Sequence, residues 1–429
     1  MRVIVVGAGL AGLAAVCRLR DRDHEVVLVE RSRLLGGKAT SFTVDGVEVD
    51  NGQHVHLACC SEYLDFVDRL GMTESLWTQP VFDVTVLRSG ARPSRLRASR
   101  GLPASMSLLP SFATYAPLDA AAKLQVIRGL RSVEEPADPG ETFATWLQRH
   151  GQGIRAVSGF WELFLVPALN AELDEVSAAD ALFVARTAFG DVSGARIGWS
   201  RVPLARIAET AAARAGSVRL RTGVVSLIDD GRLVRGVRCA GGEEIEGDAV
   251  VLAVPPARLR TILGDTEGYG VSGLDRFRSR AIVDVHLWFA PPAAGLPFAA
   301  IIGSLVQWVF EKQPGYLCCS LSAADALVGR PESELVALCH AELAAAWPRL
   351  RTARLLRGAV TRDPEATFIP SPGLHRPAPG TTRDNLSIAG AWTATGWPAT
   401  MESAVRSGRA AADRLTVHRA ARQLEPARG

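Results

Sequence analysis

The residues from Val3 to Glu30 constrain the fold more than any others in the chain. Val3-Ile4-Val5-Val6 is a short apolar run that meets Gly7-Ala8-Gly9-Leu10-Ala11-Gly12, and Val26-Val27-Leu28-Val29 ends on Glu30. Strand, Gly-x-Gly-x-x-Gly turn, helix, second strand and terminal acid is the order of a dinucleotide-binding βαβ unit. Gly7 permits the tight turn, Gly9 lets the backbone approach a pyrophosphate, and Gly12 lets the following helix pack closely on the sheet. Leu10 and Ala11 open that helix, whose unpaired N–H groups and dipole favour an anion without any lysine. Glu30 stands at the spacing of a carboxylate that accepts hydrogen bonds from an adenosine ribose.

With 429 residues the chain exceeds what one ordinary core organises, so two domains are expected, interleaved in sequence. Its 48 basic residues are scattered among 45 acids for a net charge of +3, which excludes a nucleic-acid footprint. The 7 cysteines are odd in number and show no C-x-x-C spacing, so neither a disulfide framework nor a metal site is expected. The first strand begins almost at Met1 with no signal-peptide pattern before it, which predicts a cytoplasmic protein. The most apolar region, 281–310, is interrupted by Asp284, His286 and prolines, and nowhere reaches the run of about eighteen apolar residues that spans a bilayer.

A second glycine pair follows the acid in Arg31-Ser32-Arg33-Leu34-Leu35-Gly36-Gly37-Lys38-Ala39, where backbone and a cation could again approach cofactor phosphates. This pattern resembles the flavoproteins of the amine oxidase and carotenoid desaturase type, whose second motif is Leu-Gly-Gly-Arg. Lys38 takes the arginine's place, keeping the charge but not the bidentate geometry. Next, Val47 to Leu57 reads as a strand broken by the polar turn Asn51-Gly52-Gln53-His54. The string Asp50 to His54, with Cys59-Cys60 and Leu70-Gly71, resembles the hydroxysqualene dehydroxylases. Leu169-Asn170 and the strings around His286 and Trp308 extend that likeness.

Residues 63–200 read as mostly helical, an inserted substrate domain. Within it Arg92, Arg95, Arg97 and Arg100 precede Leu102, Met106, Leu108, Leu109, Phe112 and Tyr115, which suits either peripheral docking on an anionic membrane or a solvated loop beside core helices. Strands resume at Val224–Ile228, Leu233–Val237 and Asp248–Val254, and the resemblance assigns Val225 to the adenine. Strands 282–289 and 306–310 read as half-buried, with aromatics suited to the wall of a hydrocarbon tunnel, and His286 reads as a satisfied core histidine. Near the C-terminus, Gly390-Ala391 precedes a helix expected to open near Ala399, with Thr400, Met401 and Ala404 in its first turn. The resemblance directs this helix at the pyrimidine end of a flavin and expects an aspartate where Ala391 stands, so weaker flavin retention follows.

The expected architecture is α/β: a Rossmann-like FAD-binding domain from 1–62, 201–270 and 371–416, an interleaved α+β substrate domain from 63–200 and 271–370, and a polar tail from 417–429. FAD is favoured over NAD because the second glycine pair and the C-terminal helix supply contacts that an extended flavin needs. The resemblance implies reductive dehydroxylation of hydroxysqualene, a long apolar isoprenoid. A carotenoid or phytoene-type desaturase, an amine oxidase, and a flavin-free isoprenoid-binding scaffold are the alternatives. His54 is the candidate acid for the leaving hydroxyl, oriented by Gln53 or Asn51; otherwise its hydrogen bond shapes the loop over the flavin.

Overall fold

The computed structural model describes residues 1–44, 46–103, 106–290 and 295–424, with side chains as far as residue 415. Five parallel strands lie side by side in the order Ser217–Arg219, Glu25–Val29, Arg2–Val6, Ala249–Leu252 and Leu386–Ile388. Val3 lies between Val26 and Ala249, so the fingerprint strand is central. Its side chains and those of Ala249–Leu252 are buried on both faces, which is why these runs are continuous Val, Ile and Leu. The helices Leu10–Arg20 and Met401–Leu424 cover one face, and a three-stranded antiparallel sheet with the helix Pro256–Leu263 covers the other.

A second, seven-stranded sheet runs in the order Arg354–Phe368, Ser279–Ala290, Tyr316–Leu321, Trp308–Gln313, Phe298–Ile302, Asp83–Arg88 and Ser94–Arg97. Cross-strand partners share a face. Val283, Val285 and Leu287 pack with Leu321, Cys319 and Leu317 against the helix Glu332–Ala346. The opposite face carries Thr361, Asp284, Ser320 and Trp308 in one row, and Ala359, His286, Cys318, Phe310 and Phe298 in the next. Its aromatic part packs against Trp199 and the helical residues Phe160 and Phe164.

Three expectations change. Residues 63–200 contain strands at Leu76–Thr78, Asp83–Arg88, Ser94–Arg97 and Ile197–Ser200 among their helices. Val84 and Val86 alternate with less buried neighbours, and the partner that makes them a strand, Phe298–Ile302, is distant in sequence. The strand over 282–289 is buried on both faces because Glu332–Ala346, a helix that the alternating pattern did not predict, covers the outer one. Residues 417–424 continue the C-terminal helix instead of forming a loose tail, and 425–429 lie outside the described residues.

Candidate functional site

Two of the fingerprint glycines, Gly7 and Gly12, meet backbone that leaves no room for a side chain. Gly7 has φ +101°, and a Cβ there would stand 2.3 Å from the Ala253 carbonyl oxygen. At Gly12 it would stand 1.9 Å from the Gly7 oxygen. The helix that begins at Leu10 has no side-chain cap and no acid in its first turn, so the first N–H groups, through Ala11 and Gly12, remain available to an anion. Gly36 donates its N–H to the Ala8 oxygen at 2.8 Å, and a Cβ on Gly37 would come within 2.9 Å of the Gly9 Cα. The second glycine pair therefore packs bare backbone on the first, and Ala39 closes the turn by donating to the Gly36 oxygen at 3.1 Å.

Glu30 accepts from Ala8 N–H at 2.8 Å and from Ser32 N–H at 2.7 Å, so its carboxylate stands at the mouth of the glycine turn. Arg31 is exposed. Lys38 turns its ammonium to Asp363, at 3.3 Å, and to the Glu365 carbonyl, both on the strand Arg354–Phe368. Val225 is the extra residue of a β-bulge: Val224 pairs with Cys239 and Ser226 with Arg238, leaving its backbone outside the ladder.

At the far end, Gly390 donates to Ser407 Oγ at 2.7 Å, and a Cβ on it would strike the Trp392 indole nitrogen at 2.2 Å. Arg376 and Ser403 donate to the Ala391 carbonyl at 2.7 and 3.0 Å. Arg376 also donates to the Trp397 carbonyl at 2.6 Å, so one half-buried guanidinium holds the loop at both carbonyls, a role without a local sequence signal. The helix starts at Met401, just beyond Ala399, because Thr400 caps it: Thr400 Oγ accepts from Ser403 N–H at 3.2 Å and its carbonyl from Ala404 N–H at 3.0 Å. Gly408 lets this helix cross the first one, since a Cβ there would stand 1.9 Å from the Ala11 oxygen. A glycine inside a helical pattern is the signal that could have marked it.

The polar turn lies between these ends and the seven-stranded sheet. Asn51 donates from Nδ2 to the Lys38 carbonyl at 3.2 Å, and Gln53 from Nε2 to the His54 carbonyl at 3.3 Å. His54 Nδ1 is 3.1 Å from the Gly52 carbonyl. A carbonyl only accepts, so Nδ1 carries the proton and the neutral ring presents Nε2 as an acceptor. Burial lowers the His54 pKa, opposed by the Gly52 hydrogen bond, so the imidazolium is disfavoured. Beneath the turn, Asp284 Oδ1 accepts from Gln53 N–H at 3.2 Å, and a Cβ on Gly52 would fall 2.5 Å from Oδ2. Sequence reasoning noted Asp284 only as a break in an apolar run. His286 is buried, with Tyr316 Oη 2.7 Å from Nδ1 and Thr361 Oγ1 3.3 Å from Nε2.

Residues 10–416 match the family of flavin containing amine oxidoreductases. The chain belongs to that family. A hydroxysqualene dehydroxylase of Rhodopseudomonas palustris is 31% identical, over 96% of this chain and 97% of that one. The hydroxysqualene dehydroxylase of Sinorhizobium fredii is 27% identical over 96% and 97%, and a 15-cis-phytoene desaturase of Synechococcus elongatus 26% over 97% and 96%. Among solved structures, a putrescine oxidase double mutant superposes with a TM-score of 0.74 at 18% identity, covering 97% of this chain and 99% of that one, which shows the shared fold.

As a member of this flavin-dependent family the protein is an FAD-dependent oxidoreductase, and its residues fit the cofactor. Gly9 has open space where other residues carry a side chain, with only Gly37 Cα at 4.0 Å. An uncapped helix end faces that space. In the polar turn the buried Gln53 Oε1 has no hydrogen-bond partner among the described residues. A buried acceptor left without a donor is costly, and a ligand N–H would satisfy it.

Proposed function

We propose that the protein removes the hydroxyl of hydroxysqualene reductively to give squalene. The observation that carries this reading is the 31% identity to a hydroxysqualene dehydroxylase. The resemblance to hydroxysqualene dehydroxylases over nearly the whole of both chains supports it.

In this reading the pyrophosphate lies on the first turn at Leu10, Ala11 and Gly12 and between Gly9 and Gly37; Gly7, Gly36 and Ala39 shape that cradle. Glu30 takes the ribose, with Arg31 beside it, and the bulged backbone of Val225 takes the adenine. Gly52, Gln53 and His54 line the flavin ring, and Gly390, Ala391, Ala399, Thr400, Met401 and Ala404 form the helix end that faces its pyrimidine side. Lys38 acts through its grip on Asp363, leaving the phosphates to backbone N–H groups. Reduced flavin, when bound, supplies a hydride to the carbon that has lost its hydroxyl. The protein's share is to keep water away and to hold the chain in place. Of the two roles for His54, a neutral ring with its Nδ1 proton committed to Gly52 favours shaping the loop.

Peripheral contact with a membrane is the proposed route of substrate entry. Leu102, Met106, Leu109, Leu124 and Ile154 are exposed apolar side chains, Ile154 at 84%. Phe112 and Tyr115, which the sequence placed with them, are buried in the core, and Arg95 and Arg97 pair with Asp83. Among the described residues no helix is long and apolar enough to cross a membrane.

Anaerobic incubation of the reduced holoenzyme with hydroxysqualene should yield squalene by mass spectrometry. No squalene with intact flavin, and dehydrogenation of phytoene by the oxidised enzyme, would replace this reading with the desaturase one.

A further inference from the structure

Arg376 is a charge without a counter-charge. Its guanidinium is half-buried against the loop that leads into the helix Met401–Leu424, with Cζ 5.2 Å from the centroid of the Phe368 ring. Among the described residues, each of its hydrogen bonds goes to a neutral oxygen. These are the Ala391 carbonyl at 2.7 Å, the Trp397 carbonyl at 2.6 Å, Thr395 Oγ1 at 3.2 Å, and the Trp392 carbonyl and Ser403 Oγ at 3.4 Å. No carboxylate of the described residues forms an ion pair with it.

A second guanidinium at the same loop shows the contrast. Arg406 lies 5.1 Å from the centroid of the Trp397 ring and is neutralised by Glu402 at 2.7 Å. Arg376 is left with five neutral acceptors, although a cation taken out of water is ordinarily paired. An arginine keeps its proton even there, so the loop carries a fixed positive charge. Burial lowers its pKa, opposed by Asp180, which stands in the first turn of the helix Ala178–Ala185. Neutral donors could hold the same carbonyls. The cost of leaving this cation unpaired is offset only where negative charge arrives beside it.

We propose that Arg376 is a positioning residue for the flavin, which fixes the loop through the Ala391 and Trp397 carbonyls and whose uncompensated charge raises the reduction potential of the bound cofactor. The inference rests on the placement of Gly390 to Ala404 at the pyrimidine side of the flavin, and holds for either direction of hydride flow. The oxidised ring is neutral and gains nothing from the cation. Two electrons and one proton leave the reduced ring with one negative charge, which a poorly screened guanidinium stabilises. The reduced form is then held more tightly than the oxidised one, and the potential rises by that difference.

The test reduces four holoenzymes anaerobically against a redox dye: wild type, Arg376→Gln, Arg376→Lys and Asp180→Asn. At pH 8 Asp180 is ionised, although burial raises its pKa. Arg376→Gln keeps a planar donor and removes the charge, so its two-electron midpoint should fall by at least about 30 mV, a tenfold loss of preference for reduced flavin. Arg376→Lys keeps the charge and loses the fork. Its preference should stay within about threefold of the wild type, while flavin is lost faster on dialysis. Asp180→Asn removes the opposing charge and should move the midpoint upward. An unmoved midpoint in Arg376→Gln overturns the proposal, and so does a fall in Arg376→Lys as large as in Arg376→Gln. Where Arg376→Gln does not fold or hold flavin, Asp180→Asn decides, and an unmoved midpoint there overturns the charge's role. Faster flavin loss with every midpoint unmoved sinks that role alone. Retention and midpoints unchanged in all three variants sink the placement of the loop at the flavin with it.

Discussion

At the scale of single residues, the cofactor end of the site is written in missing side chains. Gly9 separates protein packing from ligand approach, because a Cβ there meets nothing nearer than Gly37 Cα at 4.0 Å. Gly9→Ala should therefore leave the thermal midpoint of the apoprotein almost unchanged while weakening FAD binding at least about tenfold, some 1.4 kcal/mol, in a flavin fluorescence titration. Ala391 is the opposite case, a position where the sequence resemblance expects an aspartate. Its carbonyl is already held by Arg376 and Ser403, so the loop does not depend on the side chain. Ala391→Asp should slow FAD loss on dialysis relative to the wild type, and equal retention by the two proteins would show that the loop compensates. Both residues were legible in the sequence because a glycine or an alanine in a motif is a local fact. Asp284 was not, because its meaning comes from Gly52 and Gln53, more than two hundred residues away in sequence.

At the scale of elements, the two helices Leu10–Arg20 and Met401–Leu424 are locked at one crossing. A Cβ on Gly408 would stand 1.9 Å from the Ala11 oxygen and 3.0 Å from the Ala14 Cβ, so the axes approach as closely as backbone allows. Gly408→Val should cost about 3 kcal/mol or more in denaturant unfolding, by overpacking this contact, and should also abolish stoichiometric FAD by displacing both N-termini. Loss of stability with flavin fully retained would separate the crossing from the site. The sequence placed both helices, since strand, glycine turn and apolar period are local patterns. It did not place the hairpin Asp83–Arg97 as part of a sheet, nor the helix Glu332–Ala346, whose burial against Val283 and Leu287 is what hides the outer face of that sheet. Short apolar runs fit strand or helix equally until a partner is known.

At the scale of the whole molecule, buried histidines set the acid limit. Burial lowers His56 to about 4, and lowers His286 to about 4 with smaller effects from Asp50 and Lys312. In the unfolded chain both titrate near 6.5, so as pH falls from 6.5 to 4 the unfolded state takes up protons that the native state refuses. The histidine contribution should be full above pH 6.5 and fall through that window, by up to about 3 kcal/mol per histidine, partly offset by Asp284, which burial raises to about 6 so that the native state takes up a proton there. Calorimetry between pH 4 and 8 would show the decline, and His286→Gln should flatten part of it. The exposed apolar groups give a second expectation at this scale. Wild-type protein should float with anionic vesicles, and Leu124→Asp with Ile154→Asp should leave it in the soluble fraction at an unchanged thermal midpoint, since both side chains are outside the core.

The sequence by itself determined the glycine turn, the parallel sheet and the second glycine pair, because a tight turn, a doubly buried strand and a helix N-terminus each follow from a few contiguous residues. Only the tertiary structure decided where Lys38 points, which helix crosses which, and what lies under the Asn51–His54 turn. Those depend on contacts between segments far apart in the chain: Lys38 with Asp363, Ala11 with Gly408, and Gly52 with Asp284. A side chain's protonation and reach are set by what surrounds it, and no local pattern records its surroundings.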